Sequence, residues 1–346
     1  MSRPLILRLG PHVSLPIGKR FLITAPLLVL LLLLSAYLAL NIGTTRTELG
    51  DALAALFLPP DQLSETARTV ANFRMPRIGV AILGGAMTAA AGYLLQVASR
   101  NGLADPGILG LSDGAVVTVM LAGLFFAPIA AGVLSLVALG GALLAALVVL
   151  GLGRHLMVGG GILLVGIAVN LVLGSVIEIV LVSGDMMEFA QLMTWQRGSL
   201  AAVNLGDLHL LAFWFSILVP LVLLTSRFML PMLLGHDTAR ALGIRAGVVY
   251  PLYVLMAAAL AAPVVATCGP IAFVGLMSSY IARRFVGDRP TEVAIAGMLS
   301  GAIILLWADS LGRSLFAPVS VPAGIMVSVV GVITFVLAAQ LGRKSL

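Results

Sequence analysis

The sequence has little charge and almost no cysteine. Charged residues make up 10% of the 346 residues and hydrophobic residues 60%, whereas soluble domains are about a quarter charged. This composition excludes an ordinary soluble domain and indicates an integral membrane protein. The single cysteine, Cys268, excludes an internal disulfide, so we expect it to be a small packing residue.

Lysine is also scarce, since it occurs only as Lys19 and Lys344, near the ends of the chain. A phosphate-binding loop needs a lysine in the pattern GxxxxGK followed by Ser or Thr, and neither lysine lies in that setting. We therefore predict that this chain binds no cofactor and is not itself an enzyme. If ATP drives it, ATP and Mg²⁺ must bind to a partner chain.

Patterns for other chemistry are lacking as well. The four histidines show no mutual spacing typical of a metal site, so no metal site is predicted. No candidate nucleophile lies beside a base, which makes a membrane-embedded enzyme a distant alternative.

Uncharged apolar runs recur along the chain, and a membrane span needs about 20 such residues. Two runs are long enough for two spans each, and Ala127-Pro128 and Gly269-Pro270 divide them, because proline removes a backbone donor. The sequence therefore predicts an all-α integral membrane protein, a single domain over residues 1–346 with about ten transmembrane helices. The approximate spans are 21–42, 76–98, 107–126, 129–151, 161–183, 208–229, 248–267, 270–286, 292–311 and 322–342.

The distribution of basic residues sets the orientation. With the amino terminus in the cytoplasm, fourteen of the twenty lysine and arginine residues face the cytoplasm and six face outside. This satisfies the positive-inside bias, and an even number of spans returns the carboxyl terminus to the cytoplasm. The net charge of +6 therefore reflects topology, and no nucleic-acid partner is predicted.

A short polar segment, LLGHDTARALG at Leu233–Gly243, interrupts the apolar runs. Asp237 is predicted to cap a helix, Ala239, Leu242 and the flanking leucines to form one apolar stripe, and Gly243 to end the helix. A polar helix on the cytoplasmic face is suited to contact with another protein. We call Leu233–Gly243 the connector segment.

A secondary transporter is the competing class, because such proteins bury ionisable groups at mid-membrane. The possible intramembrane acids here are Glu178 and Asp309, and both fall near the outer ends of their predicted helices. For each of them an interfacial role is favoured over an ion site.

Six segments, in order along nearly the whole chain, resemble the membrane subunits of ABC importers for iron-siderophores, haem and cobalamin, the FecCD type of type II importer. One of them is the connector segment. The others are RMPR at Arg74–Arg77, GYLLQVASRNGLADPGILGLSDGA at Gly92–Ala115, QLMTWQRGSL at Gln191–Leu200, GPIAFVGL at Gly269–Leu276 and ADSLGR at Ala308–Arg313.

This resemblance implies a permease in the bacterial inner membrane, with ten helices per subunit and two permease subunits around a central pathway. Its implied partners are two cytoplasmic ATP-binding subunits and a periplasmic or lipid-anchored substrate-binding protein. The second permease subunit is expected to be a different chain, and a homodimer stays open. Ferric siderophore is the expected cargo, with cobalamin or haem as the alternative within the family.

The resemblance also implies roles for individual residues. Coupling to the ATPase falls to Gly235, Asp237, Ala239, Leu242 and Gly243, and docking of the binding protein to Arg74, Arg77 and Arg313. The gate residues are Asn101, Leu103, Val158, Gly159 and Gly160, and the pathway residues are Gln191, Trp195, Arg197 and Tyr280. Simpler roles stay open for several of them: headgroup anchors for Arg74 and Arg77, a flexible turn for the glycines, and an interfacial anchor for Trp195.

Overall fold

The computed structural model describes residues 5–8, 14–41, 49–126, 129–153, 161–183, 193–316 and 319–342. Most of these residues are helical, which confirms a helical membrane protein. The all-α prediction missed one short hairpin, in which strands β1 (Leu5–Arg8) and β2 (Ser14–Ile17) pair antiparallel with Leu5 opposite Ile17. Proline at positions 4, 11 and 16 disfavours a helix in this stretch.

Fourteen helices follow in the described part. They are α1 (Lys19–Asn41), α2 (Leu49–Phe57), α3 (Glu65–Thr69), α4 (Met75–Ser99), α5 (Leu111–Phe126), α6 (Ala131–Gly153), α7 (Gly161–Ser183), α8 (Leu205–Thr225), α9 (Met229–Leu234), α10 (His236–Ala241), α11 (Ala246–Cys268), α12 (Val274–Val286), α13 (Pro290–Ser314) and α14 (Ala323–Gly342). A π-helical turn, Val70–Arg74, joins α3 to α4, and 3₁₀ turns lie at Pro60–Gln62 and Ser226–Phe228.

Seven stretches of the described chain are long and apolar enough to cross a membrane, namely Lys19–Asn41, Glu65–Ser99, Ala131–Gly153, Gly161–Val182, Leu205–Leu234, Ala246–Cys268 and Pro290–Ser314. Shorter apolar helices cover Leu111–Phe126 and Ala323–Ile333. The chain is therefore a multi-pass membrane protein. The predicted number of about ten spans and the cytoplasmic side of both termini stay predictions.

Helix α4 lies at the centre of the fold and is almost entirely buried beyond its first turn. It packs against α13, α12, α11 and α8. Small residues allow this, because the backbones can approach closely where no side chain intervenes. A Cβ added to Gly92 would lie 2.6 Å from the Cα of Gly275 on α12, and one added to Gly275 would lie 2.8 Å from the Cα of Gly92.

Buried polar side chains link the central helices to their neighbours. Gln96 on α4 donates to the carbonyl of Gly275 at 3.3 Å and accepts from the Ser279 hydroxyl at 2.8 Å. The peripheral helix α1 is attached to α13 by the Trp307 indole, which donates to the Ser35 hydroxyl at 2.9 Å. Inside a membrane protein these bonds satisfy polar groups that lipid cannot.

We predict that Gly85→Ala destabilises the protein by about 1–3 kcal/mol, the usual cost of overpacking. A Cβ at this position on α4 would lie 2.8 Å from the backbone carbon of Gly301 on α13, and backbone cannot move aside as a side chain can. The matched control is Gly140→Ala on α6, where an added Cβ meets nothing within 4 Å. Thermal unfolding in detergent measures both, and equal melting temperatures would contradict the packing argument.

Candidate functional site

The connector segment consists of the end of α9, the short helix α10 and the turn that follows. Gly235 joins the two helices with φ of 114°, a conformation that glycine adopts without a steric cost. Gly243, with φ of 79°, ends the segment as predicted, and its amide donates to the Arg240 carbonyl at 2.9 Å. The amide of Ile244 donates to the Ala239 carbonyl at 2.9 Å, which closes the turn.

Two details of the predicted connector are wrong. Gly235, not Asp237, occupies the N-cap, because the chain turns directly from α9 into α10 at that glycine and leaves Asp237 inside the first helical turn. The apolar residues also do not share one face. Ala239 is fully buried against the core, whereas Leu234 and Leu242 are 59% and 60% exposed. The connector therefore presents two leucines together with the exposed charges of Asp237 and Arg240.

The loop between α4 and α5 begins at Arg100, whose positive φ of 52° ends α4. The Asn101 side chain accepts from the Leu103 amide at 2.9 Å, which fixes a local turn and leaves the Leu103 side chain 45% exposed. The other predicted gate residues, Val158, Gly159 and Gly160, lie outside the described residues. Gln191 of the predicted pathway also lies outside them.

Asp105 lies in the same loop and is buried at the start of α12. One carboxylate oxygen accepts from the Gly107 amide at 3.0 Å, and the other would lie 3.3 Å from a Cβ added to Gly275. Burial raises the pKa of the Asp105 carboxyl to about 6, and the backbone amides of Gly107 and Phe273 oppose this shift. Asp105 therefore connects the loop to the start of α12, and this contact leaves its carboxyl group buried.

A cleft of about 490 Å³ opens between α5, α7, α14 and the turns at 196–197 and 270–272. Arg197 reaches it from the turn after Trp195, and the Trp195 side chain is packed against the core beside it. Asp113 and Asn170 face the same space. Tyr280, also predicted for the pathway, lies half-exposed on α12 and does not line this cleft.

Two of the three predicted docking arginines, Arg77 and Arg313, contact the buried carboxylate of Asp309, and the third, Arg74, lies near Arg313. Arg77 donates to both of its oxygens, at 2.8 and 2.7 Å, and the Arg313 Nε lies 3.7 Å from one of them. Arg313 also donates to the Ala39 carbonyl at 3.0 Å, and Arg74 to the Leu40 carbonyl at 2.5 Å. We call Arg74, Arg77, Arg313 and Asp309 the arginine cluster, which joins the end of α1 to α4 and α13.

The described chain is a helical membrane body with a polar connector and a polar cleft, and the protein-family comparison decides which kind of membrane protein it is. The FecCD transport family model matches residues 29–340. The chain belongs to the FecCD transport family. Its membership in this family of iron-siderophore type ABC importer permeases confirms the resemblance seen in the motifs.

Curated relatives of this FecCD chain are iron-uptake permeases. The Fe(3+)-citrate import system permease protein YfmE of Bacillus subtilis (strain 168) is 35% identical over 316 residues, which cover 90% of this chain and 93% of that protein. The iron(3+)-hydroxamate import system permease protein FhuG of the same organism is 32% identical over 323 residues, which cover 91% of this chain and 96% of that protein.

A solved structure shares the fold. It is a metal-chelate type ABC transporter in an inward-facing conformation, which aligns with a TM-score of 0.79 and 24% sequence identity. The alignment covers 92% of this chain and 99% of that one. The FecCD chain thus shares its fold with that structure along most of its length.

Sequence reasoning missed three polar residues of this FecCD chain, namely Asp105, Asp113 and Asn170. The Asp105-Pro106-Gly107 sequence is a turn signal that could have placed the first of them. Asp113 stands in the first turn of an apolar helix, where an acid is favoured by the helix dipole. Asn170 gave no such signal, since only its contacts with the loop and with α5 reveal its role.

We predict that Asp105→Asn stabilises the protein more at pH 7 than at pH 5. The folded state holds a proton on Asp105 up to about pH 6, whereas the ordinary pKa of an Asp carboxyl is 3.8. Stability from this group therefore falls as pH rises between those two values and stays lower above them. The melting temperature of the variant minus that of the native chain should increase by about 2–4 °C from pH 5 to pH 7.

The control for this experiment is Asp207→Asn, which removes an exposed acid from the helix cap of α8. The melting temperature of Asp207→Asn minus that of the native chain should not increase from pH 5 to pH 7. A pH-independent difference for Asp105→Asn would mean that the carboxyl is charged at both pH values.

Proposed function

We propose that this chain is the transmembrane permease subunit of a binding-protein-dependent ABC importer that carries ferric siderophores across the bacterial inner membrane. The supporting observation is its identity of more than 30% with iron-citrate and iron-hydroxamate permeases along about nine tenths of the chain. The cleft beside Arg197 is the proposed part of the pathway. Cobalamin or haem is the alternative cargo within the same family.

ATP hydrolysis is proposed to take place on a partner subunit, with ATP and Mg²⁺ bound there. The connector segment is the proposed contact, because it exposes Leu234 and Leu242 beside two charged side chains. The connector segment is compact, because only Gly235 separates α9 from α10 and backbone hydrogen bonds close the turn at Gly243. Such a unit can pass a rigid-body movement to the adjacent spans.

An ion-coupled secondary transporter is the alternative of another class. Its coupling site would need an available acid within the membrane. Asp309 is already compensated by Arg77 and Arg313, and Glu178 is exposed on α7. The contacts of Asp309 therefore favour energy supply from outside this chain.

The arginine cluster is the proposed docking surface for a substrate-binding protein. Asp309 holds Arg77 by its Nε and one terminal nitrogen, which fixes the plane of the guanidinium. A guanidinium has further N–H donors beyond the pair that one carboxylate uses. A carboxylate from the binding protein could therefore bind a preoriented donor. The second permease subunit is proposed to be a different chain, with a homodimer as the alternative.

The test of the proposed function is ATP-dependent uptake in vesicles. The chain is reconstituted with its ATP-binding subunit, its permease partner and its binding protein, and radioactive iron is supplied as a ferric siderophore. We expect accumulation that requires ATP and the binding protein. Accumulation by this chain alone, driven by a proton or sodium gradient, would instead establish the secondary-transporter class. Uptake of cobalamin or haem in place of iron would correct the cargo.

We predict that Leu242→Glu lowers ATP-dependent uptake about tenfold, which corresponds to about 1.4 kcal/mol of lost contact with the ATPase. The matched control is Leu53→Glu, the same change at a leucine on α2 that is 47% exposed and lies outside the connector and the arginine cluster. Copurification of the ATP-binding subunit measures the contact directly. Full copurification with Leu242→Glu would exclude the connector as the coupling surface.

We also predict that Arg77→Gln reduces capture of the binding protein about tenfold in a pull-down from detergent, because a charged donor is lost. Arg68→Gln is the matched control, because it removes the same charge from an exposed arginine on α3 outside the arginine cluster, and it should retain capture within about twofold. Thermal unfolding identifies variants that fail to fold. The docking proposal would be wrong if both variants lost capture equally.

A further inference from the structure

The cleft beside the cationic Arg197 also contains a carboxylate, Asp113, whose position is fixed by hydrogen bonding. Asn170 on α7 donates to the Asp113 carboxylate on α5 at 2.6 Å and to the Gly107 carbonyl at 2.8 Å. Both hydrogens of the amide are thereby used, so its orientation is set. This bond occupies one carboxylate oxygen of Asp113, which leaves the other for a further donor.

The loop before α5 is built to hold this arrangement. Gly110 has φ of 72°, and a Cβ there would lie 3.1 Å from the backbone nitrogen of Asn170. This close approach of the loop to α7 places the Gly107 carbonyl within reach of the Asn170 side chain. The position of the Asp113 carboxylate thus depends on two helices and a loop.

Arg197 comes to the cleft from another element. The carbonyl of its neighbour Gly198 accepts from the Gly324 amide at 2.9 Å, so the turn is attached to the first residues of α14. The Arg197 side chain is exposed, and among the described residues it has no ion pair. The cleft therefore contains a carboxylate that is held in place and an exposed guanidinium that is available to an anionic group.

We propose that this cleft is a bipolar subsite for the transported chelate. The Asp113 carboxylate accepts from a cationic or N–H-bearing group, and Arg197 binds an acidic group. This inference rests on the proposed function, because it takes the cleft as part of the pathway. It names the favoured cargo class as iron chelates that carry a donor or cationic group. Polyanionic chelates are disfavoured, because a like charge beside Asp113 repels them.

The first experiment measures the charge of the cleft without any transport. Ser328 on α14 lines the cleft, and Ser328→Cys introduces a thiol there. The native Cys268 is fully buried, so the chain without the new thiol serves as the blank. The readout is the ratio of reaction rates with a cationic and an anionic methanethiosulfonate reagent of similar size.

We expect Asp113→Asn to lower this cation-to-anion ratio roughly threefold to tenfold, and Arg197→Gln to raise it, as expected for one unit charge acting across a partly hydrated space. Asn at 113 can still accept from Asn170, so the variant changes charge and not the fold. Thr69→Cys, an exposed thiol outside the cleft, is the matched control and should show no response to either change. A ratio unchanged by Asp113→Asn would overturn the bipolar subsite.

The second experiment tests the cargo. Uptake by the complete importer is compared for a ferric trihydroxamate that bears a free ammonium group, for the same compound with that amine acetylated, and for ferric citrate. We expect Asp113→Asn to lower the ammonium-to-acetyl uptake ratio at least threefold, and Arg197→Gln to reduce ferric citrate uptake selectively. Glu178→Gln on α7, which removes an acid outside the cleft, should leave both the ammonium-to-acetyl uptake ratio and ferric citrate uptake unchanged.

The outcomes separate the two proposals. If the native importer moves none of these chelates with ATP, the proposed siderophore function fails, and the reagent ratio alone decides the charge of the cleft. If it moves them and the variant ratios equal the native ones, the siderophore function stands and the bipolar subsite is wrong.

Discussion

The fold depends on backbone contact between α4 and its neighbours. Glycine at positions 85 and 92 of α4 meets glycine at 301 of α13 and 275 of α12, at distances that no larger residue fits. Lipid provides little hydrophobic drive for helices to associate, so this close packing supplies much of the attraction. The polar sites lie around the resulting core, because each is formed where a helix end or a loop meets one of these central helices.

Paired polar groups lie at two of the candidate sites of the chain. Arg77 and Asp309 satisfy one another at the end of α13, and Asp113 and Asn170 do so in the cleft. A buried polar group without a partner is costly in a membrane. The pairs therefore hold helices in register as well as placing charge. The arginine cluster and the cleft share this feature, since in each a pair of polar side chains links two helices.

Composition, periodicity and charge asymmetry were sufficient to predict a helical membrane protein, and the ordered motifs were sufficient for its family. They could not give the partners of the polar residues. Arg77 and Asp309 are separated by 232 positions, so only the packing of α4 on α13 brings them together. Asp309 and Arg313, four residues apart on one helix, were a local signal that could have been used. The N-cap of α10 differs from the prediction, because Asp is a preferred N-cap residue, whereas the positive φ of Gly235 is invisible in sequence.

The burial of the helices has a consequence for how the chain is made. Helix α1 is exposed along most of its surface and is strongly apolar. It can therefore insert stably into the bilayer as soon as it has been synthesised. Helix α4 is rich in glycine and alanine, and its surface is covered by α11, α12 and α13, which are synthesised well over a hundred residues later. During biogenesis α4 therefore faces lipid until the second half of the protein is made and encloses it.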